Sequence, residues 1–276
     1  MYPRRNLISK SEKVTNAIKL LRSFGGRTSL VKFAKRFWGC SLPLAFPLIE
    51  ELSHSDPRIR VSDGFIELVP LEKQNPKLSE TSFVVLDIEA TDPKFPPGRI
   101  LEIGAYKVWK KNIIEEFHTL INPGFQIPTF IKGLTGISDG MVEKAPEFSQ
   151  IVLQLLDFID DAVLVAHNAR FDIRFLNYEI GRIYEDYYLV NPQLCTVQLS
   201  RKLLPQLENH RLTTLAQHYS VKIKNLHRAD QDAKATAEIF IYLLDELERR
   251  GIRDLEGIKK IKSSQDADAI TAQKNQ

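Results

Sequence analysis

Five residues in three short segments have the types and spacing that metal-assisted hydrolysis requires. Asp87 and Glu89 lie in FVVLDIEATD, Asp172 lies in AHNARFD, and His227 and Asp232 lie in HRADQDA. Carboxylates supply the oxygen ligands that hard divalent cations prefer, and two such ions can stabilise both the attacking and the leaving oxygen of a phosphodiester displacement. An imidazole can accept a proton from water at neutral pH. The set therefore predicts a metal-dependent phosphodiesterase site.

Each segment also has a plainer interpretation. Two acids at a strand end can emerge into solvent, and Asp172 could cap a helix, a frequent use of aspartate. Asp232 could interact with a helix dipole beside an unrelated surface histidine. Asp87 and Glu89, however, are two residues apart on a predicted strand, so their side chains project from one face, where two carboxylates without a cation are costly. The three segments together favour one shared site.

The elements around the three segments predict an α/β domain. Phe83–Leu86 is a continuous apolar run, as expected for a strand covered on both faces. Periodicity and turn residues predict further strands at Ile100–Val108, Ile113–Leu120 and Ala162–Ala166, and helices at Ile151–Ile159, Phe171–Ile180 and from about Asp230 to Arg250. Asp172 would then lie at a helix start, and Asp232 would lie in the first turn of the last helix.

The arrangement resembles the DEDDh exonucleases, the DnaQ-like family within the ribonuclease H-like fold. Asp87 and Glu89 match the first motif, Asp172 the second, and His227 with Asp232 the third. The resemblance covers residues 81–250. It extends to Ile103-Gly104-Ala105 after Glu102, and to PTFIKGLTGI at residues 128–137, which is typical of the proofreading branch that includes DNA polymerase III epsilon and PolC exonucleases.

This resemblance implies a ribonuclease H-like mixed sheet flanked by helices and a 3′→5′ exonuclease activity. It also implies two Mg²⁺ or Mn²⁺ ions, held by Asp87, Glu89, Asp172 and Asp232. His227 would be the general base that deprotonates the attacking water. His167 is a rival base, but many relatives have histidine at this position without a catalytic role, so we assign the proton transfer to His227.

The resemblance further implies contacts to the terminal nucleotide from Ala90, Thr91, Leu134, Asn168 and Phe171. Plain core packing is an equally good interpretation of Phe171. Asp92 departs from the family pattern, because relatives often have glycine there, and its charge would lie near phosphates. Aspartate tolerates left-handed backbone geometry better than most residues, so the fold need not suffer. Neither Asp92 nor the additional acid Asp230 removes an essential group.

Residues 1–70 predict a small, basic, winged-helix-like α+β domain. Three short helices, the first capped by Ser11, precede a hairpin whose turn is Ser62-Asp63-Gly64. The third helix would occupy the position of a recognition helix, but it offers Glu50 and Glu51 and no lysine or arginine. Reading of bases in the major groove is therefore not expected. A linker at 71–80, the exonuclease domain at 81–250 and a polar tail at 251–276 complete the predicted organisation.

Charge is distributed unevenly along the 276 residues, whose formal net charge is +3. Residues 1–40 hold 10 Lys and Arg against the single acid Glu12. A basic arm of this kind predicts contact with a polyanion, the alternatives being a protein partner or a solvated surface. Cys40 and Cys195 cannot form a disulfide framework, and no apolar run is long enough to span a membrane. We therefore expect a protein of the cytoplasm with no membrane partner.

Three functions remain open from the sequence. The first is a metal-dependent 3′→5′ exonuclease on DNA, which would need a polymerase or another replication or repair partner for any proofreading role. The second is a ribonuclease that trims RNA 3′ ends, because the same scaffold serves both polymers. The third is a catalytically silent nucleic-acid-binding subunit, against which the intact carboxylates and His227 argue.

Overall fold

A computed structural model describes residues 6–69 and 76–261, which divide into two compact units. The first unit contains residues 6–69 together with 180–190, and the second contains 76–179 together with 191–261. Residues 1–5, residue 70 at the end of the predicted first domain, residues 71–75 of the predicted linker and the end of the predicted tail (262–276) lie outside the described residues. Within the described ranges, no helix is both long and apolar enough to cross a membrane.

The first unit has the order strand, helix, strand, helix, helix, strand, strand. These elements are β1 (Leu7–Ser9), α1 (Glu12–Ser23), β2 (Arg27–Ser29), α2 (Leu30–Phe37), α3 (Leu42–Ser55), β3 (Ile59–Ser62) and β4 (Phe65–Leu68). Strands β2, β4 and β3 form an antiparallel sheet in that order. Strand β1 pairs antiparallel with β9 (Tyr187–Leu189), a strand from far along the chain. The three helices and the hairpin predicted from the sequence are thus present.

A local signal explains where α1 begins. The Ser11 hydroxyl accepts a hydrogen bond from the Val14 backbone N–H at 3.3 Å, which caps α1 as predicted. The core of the first unit lies between the helices and the sheet, and its fully buried side chains include Phe33, Ile49 and Ile66. The side chain of Leu44 on α3 is 72% exposed, so this helix presents apolar rather than basic surface.

The second unit is built on a five-stranded mixed sheet. The strands, in spatial order, are β10 (Gln193–Cys195), β8 (Val163–Ala166), β5 (Phe83–Ala90), β6 (Ile100–Trp109) and β7 (Asn112–Leu120). Strand β8 runs parallel to both β10 and β5, whereas the β5–β6 and β6–β7 pairs are antiparallel. The Phe83–Leu86 segment of β5 is completely buried, as the apolar run predicts.

Helices cover both faces of this sheet. They are α4 (Thr129–Thr135), α5 (Asp139–Val142), α6 (Phe148–Ile159), α7 (Arg170–Ile183), α8 (Thr196–Leu203), α9 (Leu212–Tyr219), α10 (Ala229–Arg249) and α11 (Leu255–Lys260). The long helix α10 packs across β5 and β6, where the rings of Phe83 and Phe240 meet edge to face at 4.9 Å. A mixed sheet flanked by helices was predicted, and it is confirmed.

The structure differs from the predicted boundaries at both ends of the second unit. Leu78–Glu80 of the expected linker forms a 3-10 turn, and the Leu78 N–H donates to the Arg253 carbonyl at 2.7 Å. The expected polar tail contains α11, which Asp254 caps through the Gly257 N–H. Ile258 is buried in the core beneath α10, and this apolar contact explains why residues 255–260 continue the folded unit.

Candidate active site

Strand β5 presents Asp87 and Glu89 on the face that α10 covers. In the β5–β6 pairing Asp87 lies opposite Gly104 and Glu89 lies opposite Glu102. The strand alternation that buries Val85 on this face also directs both carboxylates to it. Both residues are partly buried. Two acids therefore share one restricted surface at the end of the central strand.

Asp172 joins them from the first turn of α7. Its carboxylate accepts a hydrogen bond from the Ile88 backbone N–H at 3.2 Å, and Ile88 lies between Asp87 and Glu89. Only 2% of Asp172 is exposed. The link across 84 residues of chain fixes the start of α7 beside the end of β5, so the second motif meets the first.

His227 and Asp232 complete the cluster from the start of α10. The His227 N–H donates to Asp232 Oδ2 at 2.9 Å. His227 has a left-handed backbone with φ of 62°, and its side chain is exposed, whereas Asp232 is buried. One ligand atom from each of Glu89, His227 and Asp232 lies within 4.8 Å of the others. The third motif thus meets the first at metal-binding distances.

Gly104 allows α10 to approach the sheet this closely. A Cβ on Gly104 would lie 2.3 Å from the Ala229 carbonyl oxygen and 2.5 Å from the Asp230 Cα. Both are backbone atoms, so no side-chain rotation could relieve the overlap. The glycine of the Ile103-Gly104-Ala105 segment is therefore required by the first turn of α10, which carries Asp232.

Glu102 anchors the same turn through an ion pair that the sequence analysis did not identify. Its carboxylate, which is fully buried, accepts hydrogen bonds from the Arg228 guanidinium, the Ala229 N–H at 2.9 Å and His118 Nε2 at 2.8 Å. Burial alone would raise the pKa of Glu102, but hydrogen bonds from His118, Arg228 and Ala229 outweigh it and lower the pKa to about 2. The only sequence signal was the position of Glu102 directly before Ile103.

Each carboxylate of the site disfavours the ionised form of its neighbours. Burial, and then repulsion from Asp172 and Glu89, raises the pKa of Asp87 well above its usual range. Burial, and then repulsion from Asp232, Glu102 and Asp172, raises the pKa of Glu89 to about 8, although Arg228 opposes the shift. Burial also raises the pKa of Asp172 and of Asp232. A positive charge between these groups would relieve the repulsion.

The donor set fits a divalent metal ion. Asp232 Oδ1 is buried and has no hydrogen-bond partner among the described residues, while Oδ2 is engaged by His227. An unpaired carboxylate oxygen in such a position is costly unless a cation satisfies it. The carboxylates of Asp87, Glu89, Asp172 and Asp232 all offer the hard oxygen ligands that Mg²⁺ and Mn²⁺ prefer.

A second group of possible ligand residues, Glu102, His118 and Asp230, is less suited to a metal. Glu102 is already engaged by Arg228 and His118, and a cation would have to compete with the guanidinium. His118 holds a raised pKa because of its hydrogen bond to Glu102. We therefore assign this group to the anchoring of α10.

His167 lies in a different environment from His227. Its Nδ1 is 2.9 Å from Thr196 Oγ1, and it does not belong to either group of possible metal ligands among the described residues. Burial lowers the pKa of His167 to about 4. The ring is thus held neutral against α8, as expected of a structural histidine.

The residues expected to contact a terminal nucleotide differ in how exposed they are. Thr91 is buried and exchanges two hydrogen bonds of 2.9 Å with the Arg99 backbone, and Ala90 ends β5 after an irregularity in the pairing. Phe171 is partly buried and contacts the ring of Phe175 at 5.4 Å. Asn168 is exposed with φ of 75°. Leu134, on α4, is 41% exposed.

The side chain of Asp92 makes a local hydrogen bond within the turn that follows β5. Its Oδ1 accepts a hydrogen bond from the Lys94 N–H at 2.7 Å, and its backbone is not left-handed. The turn therefore needs no glycine at this position.

Residues 84–240 match the sequence model of the exonuclease family RNase_T. A PolC-type DNA polymerase III from Caldanaerobacter subterraneus subsp. tengcongensis is 41% identical over 189 residues, which are 68% of this chain and 13% of that polymerase. The DNA polymerase III subunit epsilon of Aquifex aeolicus is 36% identical over 190 residues, which are 68% of this chain and 94% of the subunit.

Among solved structures, the nuclease domain of 3'hExo, described as a DEDDh family member bound to rAMP, superposes with a TM-score of 0.53. The match covers 62% of this chain and 95% of that domain, at 18% sequence identity. At this identity the likeness shows the fold alone. That fold contains the sheet and helices that bring the three motifs together here.

Proposed function

The chain belongs to the RNase_T exonuclease family and is a DnaQ-like 3′→5′ exonuclease of the DEDDh type. We propose that it removes nucleotides from the 3′ end of DNA with two bound Mg²⁺ or Mn²⁺ ions. The observation that carries the proposal is the buried, unpaired Oδ1 of Asp232 inside a cluster of carboxylates whose pKa values are raised.

Asp87, Glu89, Asp172 and Asp232 would hold the metal ions. When bound, the ions stabilise the charge on the attacking and leaving oxygens of the phosphodiester. The protein's contribution is to keep four acids close together in a partly dehydrated site, at a cost in repulsion that cations offset. The bond between Asp172 and the Ile88 N–H holds one of these acids in a fixed orientation.

His227 would take the proton from the attacking water. Its exposed ring can reach solvent and substrate, while its N–H bond to Asp232 holds its backbone at the edge of the metal-binding cluster. A general base must come within hydrogen-bonding distance of the water that it activates. His167 is held by Thr196 and has a low pKa, so it is the weaker candidate.

Ala90, Thr91, Leu134, Asn168 and Phe171 would form the pocket of the terminal nucleotide. The exposed side chain of Leu134 is available to pack against a base, and Asn168 and Phe171 flank the start of α7 close to Asp172. Ala90 and Thr91 would contribute mainly backbone and packing contacts, because their side chains are buried.

DNA is the favoured polymer because the two relatives named above are DNA polymerase III proteins. RNA is the alternative, supported by the rAMP bound to the structurally similar 3'hExo domain. The partner that would make the activity a proofreading one is a DNA polymerase, because the relatives named above are DNA polymerase III proteins. We expect the protein to act in the cytoplasm.

The first unit would act as a winged-helix-like accessory module. The exposed cations of α1 and α2 are Lys19, Arg22, Lys32, Lys35 and Arg36. Helix α3 carries the exposed acids Glu50 and Glu51, so it is unsuited to entering the major groove. We favour contacts to phosphates through α1 and α2, with a protein partner as the alternative.

The proposed function is tested with purified protein and matched 5′-labelled DNA and RNA oligonucleotides in Mg²⁺, Mn²⁺ or EDTA. A metal-dependent ladder that shortens from the 3′ end supports the exonuclease, and the faster polymer identifies the substrate. Binding without cleavage in either metal would instead support the silent binding subunit.

A further inference from the structure

We propose that a groove beside α7 binds the phosphodiester backbone of the substrate strand upstream of the nucleotide being removed. This inference rests on the proposed function and adds to it the path of the uncleaved strand. The groove, called here the α7 groove, has a volume of about 340 Å³ and lies between α7, β10 and the start of α8. Its polar lining residues are Arg170, Arg174, Asn177, Gln193, Cys195 and Gln198.

The charge of the α7 groove matches a polyanion. Arg170 and Arg174 are four residues apart, so they lie on one face of α7, and both are exposed. Neither arginine forms an ion pair with any described residue, and no Asp or Glu lines the groove. Arginine presents a planar fork of donors that suits phosphate oxygens, and the amide side chains of Gln193 and Gln198 can add further donors.

Arg174 is also held in place for such a contact. Its guanidinium lies 5.1 Å from the centroid of the Phe95 ring, and that ring packs against Phe175 and Tyr178. A guanidinium stacked on an aromatic ring loses less conformational freedom when it binds an anion than one that is free in solvent. The stacking leaves the edge of the guanidinium available for hydrogen bonds.

The position of the groove relative to the active site supports the same occupant. Asp172 is two residues from each arginine, so it lies about 3 Å from each along the helix axis but on the opposite side of α7, which with its side chains is about 10–12 Å wide. A strand whose terminal phosphodiester is held beside Asp172 therefore reaches the arginines within a few nucleotides, since stacked bases advance about 3.4 Å each. The side chains of the cleavage site are mainly carboxylates, so the positively charged side chains that contact the upstream strand must lie outside it.

The decisive variant is Arg170→Gln/Arg174→Gln in the full chain, measured on two substrates. One is a fluorescent oligothymidylate of about 12 nucleotides, long enough to leave the active site and cross the groove. The other is the p-nitrophenyl ester of thymidine 5′-monophosphate, which is too small to reach the groove and reports on the active site alone. Anisotropy with Ca²⁺ gives the Kd of the oligomer, and hydrolysis in Mg²⁺ gives kcat and KM for both.

We expect the Kd and KM of the oligomer to rise about tenfold in the double variant, while hydrolysis of the small ester is retained. The slope of log Kd against log salt concentration should become shallower by about 1.4, because each phosphate contact of a single strand contributes about 0.7. Arg170→Lys/Arg174→Lys should recover most of the affinity, since it keeps both charges. Arg170→Gln alone, which leaves the stacking of Arg174 on Phe95 in place, should give an intermediate Kd if the double variant folds poorly.

Lys110→Gln/Arg253→Gln is the matched control. It removes the same charge from a pocket that both residues line beside the turn between β6 and β7, at the end of the sheet away from Glu102. An oligomer Kd and salt slope equal to those of the wild type in Arg170→Gln/Arg174→Gln, or an equal loss in the control, would overturn the inference. If the wild type hydrolyses neither substrate, the proposed function fails, and the anisotropy comparison still decides whether the groove binds the strand.

Discussion

The Arg228 guanidinium donates hydrogen bonds to both carboxylate oxygens of Glu102, from Nη2 to Oε1 at 2.7 Å and from Nε to Oε2 at 3.0 Å. This ion pair joins β6 to the residue that follows His227, and the Ala229 N–H bonds to the same carboxylate. The hydrogen bonds of Glu102 run to His118, Arg228 and Ala229, while its charge repels that of Glu89 on the neighbouring strand. Its role is therefore to position the start of α10, which carries His227 and Asp232.

Replacing Glu102 with glutamine tests this positioning role. Glu102→Gln keeps an acceptor for the Ala229 N–H but loses the charge that holds Arg228, so α10 should settle less accurately on the sheet. We expect kcat to fall about 10–100-fold, as for other residues that orient metal ligands, with a much smaller change in KM. Steady-state kinetics on a DNA oligonucleotide measure both values.

The matched control is Glu115→Gln, which breaks a 3.0 Å surface ion pair with Lys107 on the same sheet. Exposed pairs contribute little, so this variant should retain its kcat. A kcat of Glu102→Gln that equals the wild-type value would remove the positioning role, and an equal loss in both variants would indicate a general effect on the sheet.

The second prediction concerns the stability of the metal-free protein as a function of pH. The pKa of Glu89 is about 8 in the folded protein against 4.5 in the unfolded chain. For an acid with a raised pKa, ionisation opposes folding, so this destabilisation is absent below about pH 4.5 and is complete above about pH 8. Without metal, Glu89 should therefore lower the free energy of unfolding by roughly 2–4 kcal/mol between these limits.

Thermal unfolding in EDTA at several pH values, compared between wild type and Glu89→Gln, isolates this effect. The variant should be the more stable of the two at pH 8.5, and the difference should vanish below about pH 4.5. Mg²⁺ at pH 8.5 should raise the Tm of the wild type more than that of the variant, because the ion binds the folded state. A pH-independent difference between the two proteins would contradict the raised pKa.

Local sequence signals predicted most of the second unit. The apolar run of β5 and the periodicity of α10 each depend on neighbouring residues, so the pattern could be read without the fold. The order of the motifs also indicated that Asp87, Asp172 and Asp232 would meet, and the structure brings them together at the end of β5.

Features that depend on distant contacts could not be read in this way. The pairing of Leu7 with Leu189 joins short strands with no local pattern of their own. Arg228 looks like an ordinary surface cation in the sequence, because its partner Glu102 lies 126 residues away. Helix α11 was predicted as polar tail, since the apolar contact of Ile258 with the core becomes visible only in three dimensions.

The third prediction separates the two candidate bases. His227→Gln should lower kcat about 10²–10⁴-fold, the usual contribution of general base catalysis, while leaving metal affinity nearly intact. His167→Gln keeps a polar partner for Thr196 and should lower kcat only slightly. Hydrolysis of the small thymidine ester and Mn²⁺ titration by calorimetry measure these two properties. The assignment is reversed if His167→Gln is the more damaging change, and a lost metal affinity in His227→Gln would make His227 a ligand.

The fourth prediction concerns the metal ligands. Asp87→Asn and Asp232→Asn should each abolish turnover and weaken Mn²⁺ binding, because each removes a charged oxygen ligand from a site that depends on charge to hold its cations. Asp230→Asn, which alters the neighbouring half-buried acid of α10, is the control and should retain turnover and Mn²⁺ affinity. Wild-type hydrolysis by Asp87→Asn or Asp232→Asn would remove the two-metal assignment.

The final prediction addresses the basic surface of the first unit. Lys32, Lys35 and Arg36 are exposed on α2, and replacing all three with glutamine should leave the core intact, because the buried side chains of α2 are Leu30, Phe33 and Ala34. If this surface binds phosphates, the Kd for tailed duplex DNA should rise several-fold. The slope of log Kd against log salt concentration should become shallower by about 2–3, while the small thymidine ester is hydrolysed normally.

Leu44→Ser is the control for the triple variant. Leu44 is 72% exposed on α3 and carries no charge, so its replacement should leave the DNA Kd and its salt dependence unchanged. If the triple variant also leaves them unchanged, the basic surface does not bind DNA. A protein partner would then be the better explanation, because the exposed apolar side chain of Leu44 and the acids of α3 suit a protein surface better than a phosphate backbone.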